Sequence, residues 1–197
     1  MLNLNDPIRY TEEELAHVNC VLKPMKEAGW KDQKENTKSL KHRISEHTIV
    51  AQGCRCAYCE SVLLRGAQAI EHVAPKGIYG EFCFEPFNLV TVCTSCNSTS
   101  NKGEVDTVKA PVNNADYTAN RFKMVHPYFD NPEEHFKFID DDKTLFDKTK
   151  SSPEAIFTIN MMHWDEQWAY RQRIVNARTR DLPRDVLKMV SEIVTYR

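Results

Sequence analysis

Two cysteine pairs, Cys56-Ala-Tyr-Cys59 and Cys93-Thr-Ser-Cys96, lie 33 residues apart. Each Cys-x2-Cys knuckle turns two thiolates toward one point. Four thiolates at tetrahedral corners suit Zn²⁺, which has no redox chemistry and accepts sulfur readily. Two such pairs rarely arise as unrelated buried cysteines, so Cys56, Cys59, Cys93 and Cys96 are expected to hold a zinc ion. Four protein ligands close its coordination, so this zinc would staple the fold and leave catalysis to other groups. Small modules of this kind often need the metal to fold. The gap is longer than in a zinc ribbon, so a further element is inserted between the knuckles.

The seven cysteines are an odd number and cluster, which fits metal binding in a reducing compartment better than a disulfide framework. Cys54 could join the metal only by giving up the tight knuckle spacing, so it is read as a free thiol. Cys20 and Cys83 are read as buried apolar residues. The N-terminal stretch shows no basic region followed by an apolar run, and no run is long enough to span a bilayer. A cytoplasmic protein without membrane contact is the expectation.

The formal net charge of −2 gives nucleic-acid binding no support, so any such contact must come from a local patch. Lys23 to Arg43 carries seven Lys or Arg against three acids, and Trp164 to Arg197 seven against five. Such runs are more often solvated helix faces.

Helices are expected over 11–22, 36–52, 153–180 and 183–196, from apolar residues at helical spacing, with Gly53 stopping the second. Ala67–His72 and Phe87–Val92 read as strands, and a helix is expected to begin within Asn97–Lys102. The segment 105–120 reads as a loop. Phe136 and Phe138 are expected to pair with Leu145 and Phe146 around a turn at Asp140–Asp142. The chain then divides into an N-terminal helical extension (1–53), a core (54–105) and a C-terminal hairpin with helices (106–197).

Between and just after the knuckles stand Glu71-His72, Lys76, Asn88 and Asn97. The run CAYCE…AIEHVAPKG…FNLVTVCTSCNSTSNK, over about 54–102, resembles the HNH nucleases of the ββα-metal superfamily. The resemblance implies an α+β fold with a small zinc-stapled ββα-metal core between mainly helical extensions. It also implies hydrolysis of phosphodiester bonds. His72 would be the general base, since a neutral imidazole can take a proton from water at physiological pH. Glu71 and Asn97 would hold a catalytic Mg²⁺ or Mn²⁺, because such ions accept few protein oxygens and keep several waters. Glu71 stands where the family usually has aspartate or histidine. Successive strand residues face opposite ways, so a bulge or strand end would have to bring Glu71 and His72 to one site. Asn88 would pin the loop between the strands. Lys76 and Lys102 would contact the phosphate, although a basic residue usually follows the CxxCN element sooner than Lys102 does. The other histidines receive no role.

The flanks resemble a subgroup, the PtuB-like HNH proteins of Septu and retron-linked anti-phage systems. The carriers are GCRCAYCE with its upstream helix, HPYFDNPEEHFKFID and AIFTINMMHWDEQWAYRQR. That implies an ATPase partner of the PtuA type. Three readings stand: a DNA endonuclease, a nuclease of structured RNA such as transfer RNA, and a zinc-stapled nucleic-acid-binding or adaptor module without catalysis. The intact set Glu71, His72, Asn88 and Asn97 separates the first two from the third.

Overall fold

The computed structural model describes residues 1–64, 66–109, 117–118, 122–183, 185–187 and 189. The architecture is α+β. Helices α1 (Glu12–His17), α2 (Lys23–Met25), α3 (Glu27–Lys31) and α4 (Glu35–Ala51) precede an antiparallel pair of strands, β1 (Gln68–His72) and β2 (Leu89–Cys93). Helices α5 (Pro132–His135), α6 (Pro153–Met161) and α7 (Gln167–Thr179) follow. Among the described residues no helix is long and apolar enough to cross a membrane.

Local chemistry sets these boundaries. Thr11 and Glu14 form a capping box, so α1 starts with its first amides bonded. A π-turn over Val18–Leu22 continues α1 and buries Val18 and Leu22. Gln52 ends α4 and ties it to the sheet: its Nε2 donates to Arg55 O and Thr91 O, each at 2.7 Å, and its Oε1 accepts from Thr91 N–H at 2.8 Å. The Thr48 and Thr91 hydroxyls add a 2.7 Å contact between the same elements.

The ladder runs without a bulge from Gln68↔Cys93 to His72↔Leu89. Strand parity therefore puts Ile70, Thr91, His72 and Leu89 on one face and Ala69, Val92, Glu71 and Val90 on the other. The first face meets α4 and a core of Ile8, Val18, Leu22, Leu40, Ile44, Phe84 and Leu89. The second contributes Val90 and Val92 to a larger core with Tyr58, Met124, Phe136, Ile159 and Trp164.

Four expectations are corrected. Residues 94–104 are consecutive turns, so the helix expected to begin within Asn97–Lys102 is absent. Its run of Ser, Thr and Asn bonds locally instead: Ser100 N–H donates to Ser98 Oγ at 3.2 Å and Asn101 Nδ2 to Ser95 O at 2.5 Å. The single helix expected over 153–180 breaks between Met161 and Gln167, where His163 takes a left-handed φ of 52° and Trp164 turns into the aromatic core. Cys20 is exposed, not buried, while Cys83 is buried as expected. Of the bulge or strand end expected to bring Glu71 and His72 to one site, the bulge is absent, and His72 stands at the strand end.

The expected hairpin at 136–146 is present as an isolated Phe138↔Phe146 bridge. The expected loop 105–120 and the helix 183–196 lie partly outside the described residues.

Candidate functional site

The two knuckles meet at the end of the sheet. In the first, Cys56 N–H donates to Ser61 O at 2.8 Å, and Glu60 takes a left-handed φ of 63° to turn the chain. In the second, Asn97 N–H donates to Cys93 O at 3.0 Å directly after β2. The four thiol sulfurs lie within 4.8 Å of one another, and Cys59 Sγ stands 3.7 Å from Cys93 Sγ. A tetrahedral zinc with Zn–S near 2.3 Å sets its sulfurs about 3.8 Å apart, so this donor set fits the ion. Burial pushes the Cys56 thiol well up, while hydrogen bonds from the other three cysteines pull Cys93 down. Four thiolates this close repel one another, and a divalent cation removes that conflict.

His72 ends β1 and is 3% exposed. Its Nε2 lies 3.1 Å from the Cys83 carbonyl, so Nε2 carries the proton and Nδ1 is the free acceptor. Trp30 of α3 stands edge-on against the ring, and Phe84 packs behind Trp30. Burial, then the charge of Lys76, push the imidazole down to about 3. Lys76 is half-buried in the connection after β1.

Asn88 holds that connection shut at both ends. Ala74 N–H donates to its Oδ1 at 2.6 Å, and its Nδ2 donates to Ala74 O at 3.2 Å and Phe82 O at 2.9 Å. The Tyr117 hydroxyl donates to the same Oδ1 at 2.8 Å. Tyr128 N–H donates to His126 Nδ1 at 3.1 Å, so Nε2 of His126 carries the proton and donates to the Tyr117 oxygen at 3.0 Å. Every hydrogen-bonding position of the Asn88 amide is thus filled. His126, Tyr117 and Trp30 were not singled out by the sequence. The aromatic spelling HPYFD around His126 is the one local signal, and it reads equally well as core.

Glu71 lies on the opposite face. Its Oε1 pairs with Lys102 Nζ at 2.6 Å, and the same ammonium donates to His72 O at 2.8 Å. Lys102 is 1% exposed, which corrects its expected place at the phosphate. Tyr58 is buried nearby with its hydroxyl unpartnered; burial and then the Glu71 charge push that phenol well up.

Asn97 is exposed, beyond the Cys93 end of β2. Cys93 pairs with Gln68, three residues before Glu71. Among the described residues only the cysteines bring three or more His, Cys, Asp or Glu side chains to one point. Glu71 is engaged by Lys102 in this conformation, so its carboxylate is not free for a catalytic Mg²⁺ or Mn²⁺. The structure brings Glu71 to Lys102 and Asn88 to the connection behind His72, and leaves Asn97 exposed.

No protein-family model matches the chain, and no curated protein matches it either.

Proposed function

We propose that the chain is an HNH-type endonuclease that hydrolyses phosphodiester bonds of DNA with His72 as its general base. The observation that carries this is the build of the β1–β2 connection. His72 Nε2–H is held on Cys83 O at 3.1 Å, which leaves Nδ1 to accept a proton, and Asn88 pins the same connection. An imidazole oriented by a backbone carbonyl suits proton abstraction from water. The water proton goes to Nδ1 while its oxygen bonds to phosphorus, and the bond to the sugar oxygen breaks, that oxygen leaving with the bonding pair and taking a proton from solvent. Lys76, beside His72, is the cation left to meet the phosphate.

The four-cysteine site supports this reading by tying the first knuckle to the end of β2. The two extensions, with an ATPase partner of the PtuA type and a role in anti-phage defence, belong to the proposal through the resemblance of the flanks. In the conformation seen here the site is closed. Cleavage requires Trp30 to leave His72, and a catalytic Mg²⁺ or Mn²⁺ would require Lys102 to release Glu71.

Those two contacts favour a second reading, a zinc-stapled nucleic-acid-binding or adaptor module. The test is a cleavage assay with Mg²⁺ or Mn²⁺ on supercoiled plasmid and total transfer RNA, wild type beside His72→Ala, with zinc content measured in both. Cleavage of plasmid by wild type alone supports the proposal, and cleavage of transfer RNA alone moves the substrate to RNA. If zinc-loaded wild type retains both substrates on a gel without cutting them, the second reading replaces it.

A further inference from the structure

A cavity of about 800 Å³ opens between α7, the 136–146 hairpin and the first zinc knuckle, and none of the residues assigned to cleavage lines it. Its size falls within the range of small-molecule sites. Phe138, Phe146, Trp164 and Trp168 supply apolar walls, with Phe146 stacked on Trp164 at 6.1 Å and on Phe138 at 4.9 Å. Flat rings so arranged suit a flat guest.

The polar lining decides the sign of that guest. Arg173 of α7 lies over the Phe146 ring, its guanidinium carbon 4.5 Å from the centroid. Its Nε donates to Thr144 O at 2.6 Å, and among the described residues its terminal nitrogens have no hydrogen-bond partner and no carboxylate pairs with it. The two acids whose charges act on it are engaged elsewhere: Asp140 accepts from Thr144 and Leu145, and Asp165 pairs with Lys148 at 2.5 Å. Burial pulls the guanidinium down to about 10. Trp164 carries a second donor without a partner, its buried indole N–H. Of the other charged lining groups, Lys143 pairs with Glu133 at 2.5 Å and Glu60 with the N-terminal ammonium at 2.6 Å, while Arg180 has no hydrogen-bond or ion-pair partner among the described residues. A half-buried cation with donors to spare is costly until an anion meets it.

We infer that this cavity binds a small organic anion with a flat aromatic frame, its acidic group on Arg173 and its rings against Phe138, Phe146 and Trp168. The anion neutralises the guanidinium bidentately, as carboxylates, sulfonates and phosphates do. The frame covers apolar wall that the chain leaves open. Asn176 Nδ2 donates to the Cys59 carbonyl at 2.5 Å, so α7 and the zinc knuckle form one wall that the guest would brace.

The probe pair 8-anilinonaphthalene-1-sulfonate and N-phenyl-1-naphthylamine separates the anion from the frame, since the two share rings and differ in the sulfonate. Zinc-loaded full chain is titrated with each by fluorescence. The expected result is one saturable sulfonate site per chain, bound about tenfold more weakly by Arg173→Met. The neutral probe should bind both proteins alike, and Trp168→Ala should weaken both probes. No saturable site, or equal sulfonate affinity in wild type and a folded Arg173→Met, overturns the inference. If Arg173→Met fails to fold, wild type alone decides: it must prefer the sulfonate to the neutral probe, and equal affinities overturn the inference.

Discussion

The indole of Trp30 stands edge-on to the imidazole of His72, with ring centroids 4.4 Å apart and planes at 86°. The contact joins residues 42 positions apart and depends on the tight seat of α3. A Cβ on Gly29 would come within 2.3 Å of the Leu22 carbonyl oxygen, so only glycine lets α3 lie this close. Lys26, which starts α3, takes a left-handed φ of 52°, which is strained for a residue other than glycine. Trp30→Ala should therefore uncover His72. Diethyl pyrocarbonate, with modified sites mapped by mass spectrometry, should label His72 slowly in wild type and at the rate of the exposed His42 in the variant. The loss of a partly buried ring should lower stability by roughly 1–3 kcal/mol. Equal labelling of His72 in both proteins would show that Trp30 is not its cover.

The Glu71–Lys102 pair is the most buried ion pair of the β1–β2 region, with side chains 13% and 1% exposed. Removing one partner leaves a charge in a site it cannot leave. Lys102→Met should destabilise the protein by roughly 3–5 kcal/mol, and Glu71→Leu added to it should recover much of the loss, since replacing both charges with apolar groups is often neutral. Urea unfolding of wild type, both single variants and the double variant completes the cycle. Additive single effects would mean that the two charges do not interact.

The parts that depend on short sequence separation were legible. The knuckles, the capped start of α1, α4 and both strands follow from spacing and alternation within a few residues. The four-cysteine cluster was legible across its 33-residue gap because two such pairs rarely arise by chance and together suit one metal ion. What failed depended on contacts made elsewhere. Position 97–102 has a helical boundary pattern, but its Ser, Thr and Asn side chains compete for the backbone. Lys102 looked like a surface cation until the fold laid it against Glu71. Cys20 reads as buried because that is the commoner fate of a free cysteine, yet it sits off the Leu15, Val18 and Leu22 stripe and is exposed on the π-turn. Trp30 and Tyr117 have no local pattern that ties them to His72 or Asn88, because tertiary packing alone joins them.

The four-cysteine cluster predicts a metal count and a folding dependence. Purified chain should carry one zinc. Replacement with Co²⁺ should give the intense near-ultraviolet thiolate-to-metal band and the visible bands of a tetrahedral four-sulfur site. Cys96→Ser, which removes a fully buried ligand, should bind metal at least tenfold more weakly and lose cooperative unfolding. Cys20→Ser should leave metal content and stability unchanged, because Cys20 is exposed. A cobalt spectrum lacking thiolate bands would rule out the cluster as a metal site.

His126 predicts how stability depends on pH. It is fully buried among Tyr117, Phe122 and Phe129, and burial pushes it from 6.5 down to about 3. Its Nδ1 already accepts from Tyr128 N–H and its Nε2–H donates to Tyr117, so a second ring proton would evict the amide. The folded pKa lies below the unfolded one, so the unfolded chain binds more protons between those values. The contribution of His126 is therefore complete above about pH 6.5 and falls away as the pH drops toward 3, by at most about 5 kcal/mol. His72, also pushed down to about 3, adds a slope of the same sign. Protonation of the zinc ligands adds another. A comparison with His126→Gln cancels both, since each is present in either protein. The variant should be less stable than wild type at pH 7.5, and the gap should narrow steadily from pH 6.5 to 4.5. Urea midpoints at each pH, in excess zinc, measure it. A gap that stays constant across that range would mean that His126 does not titrate in this window and that its ring is more solvated than its packing implies.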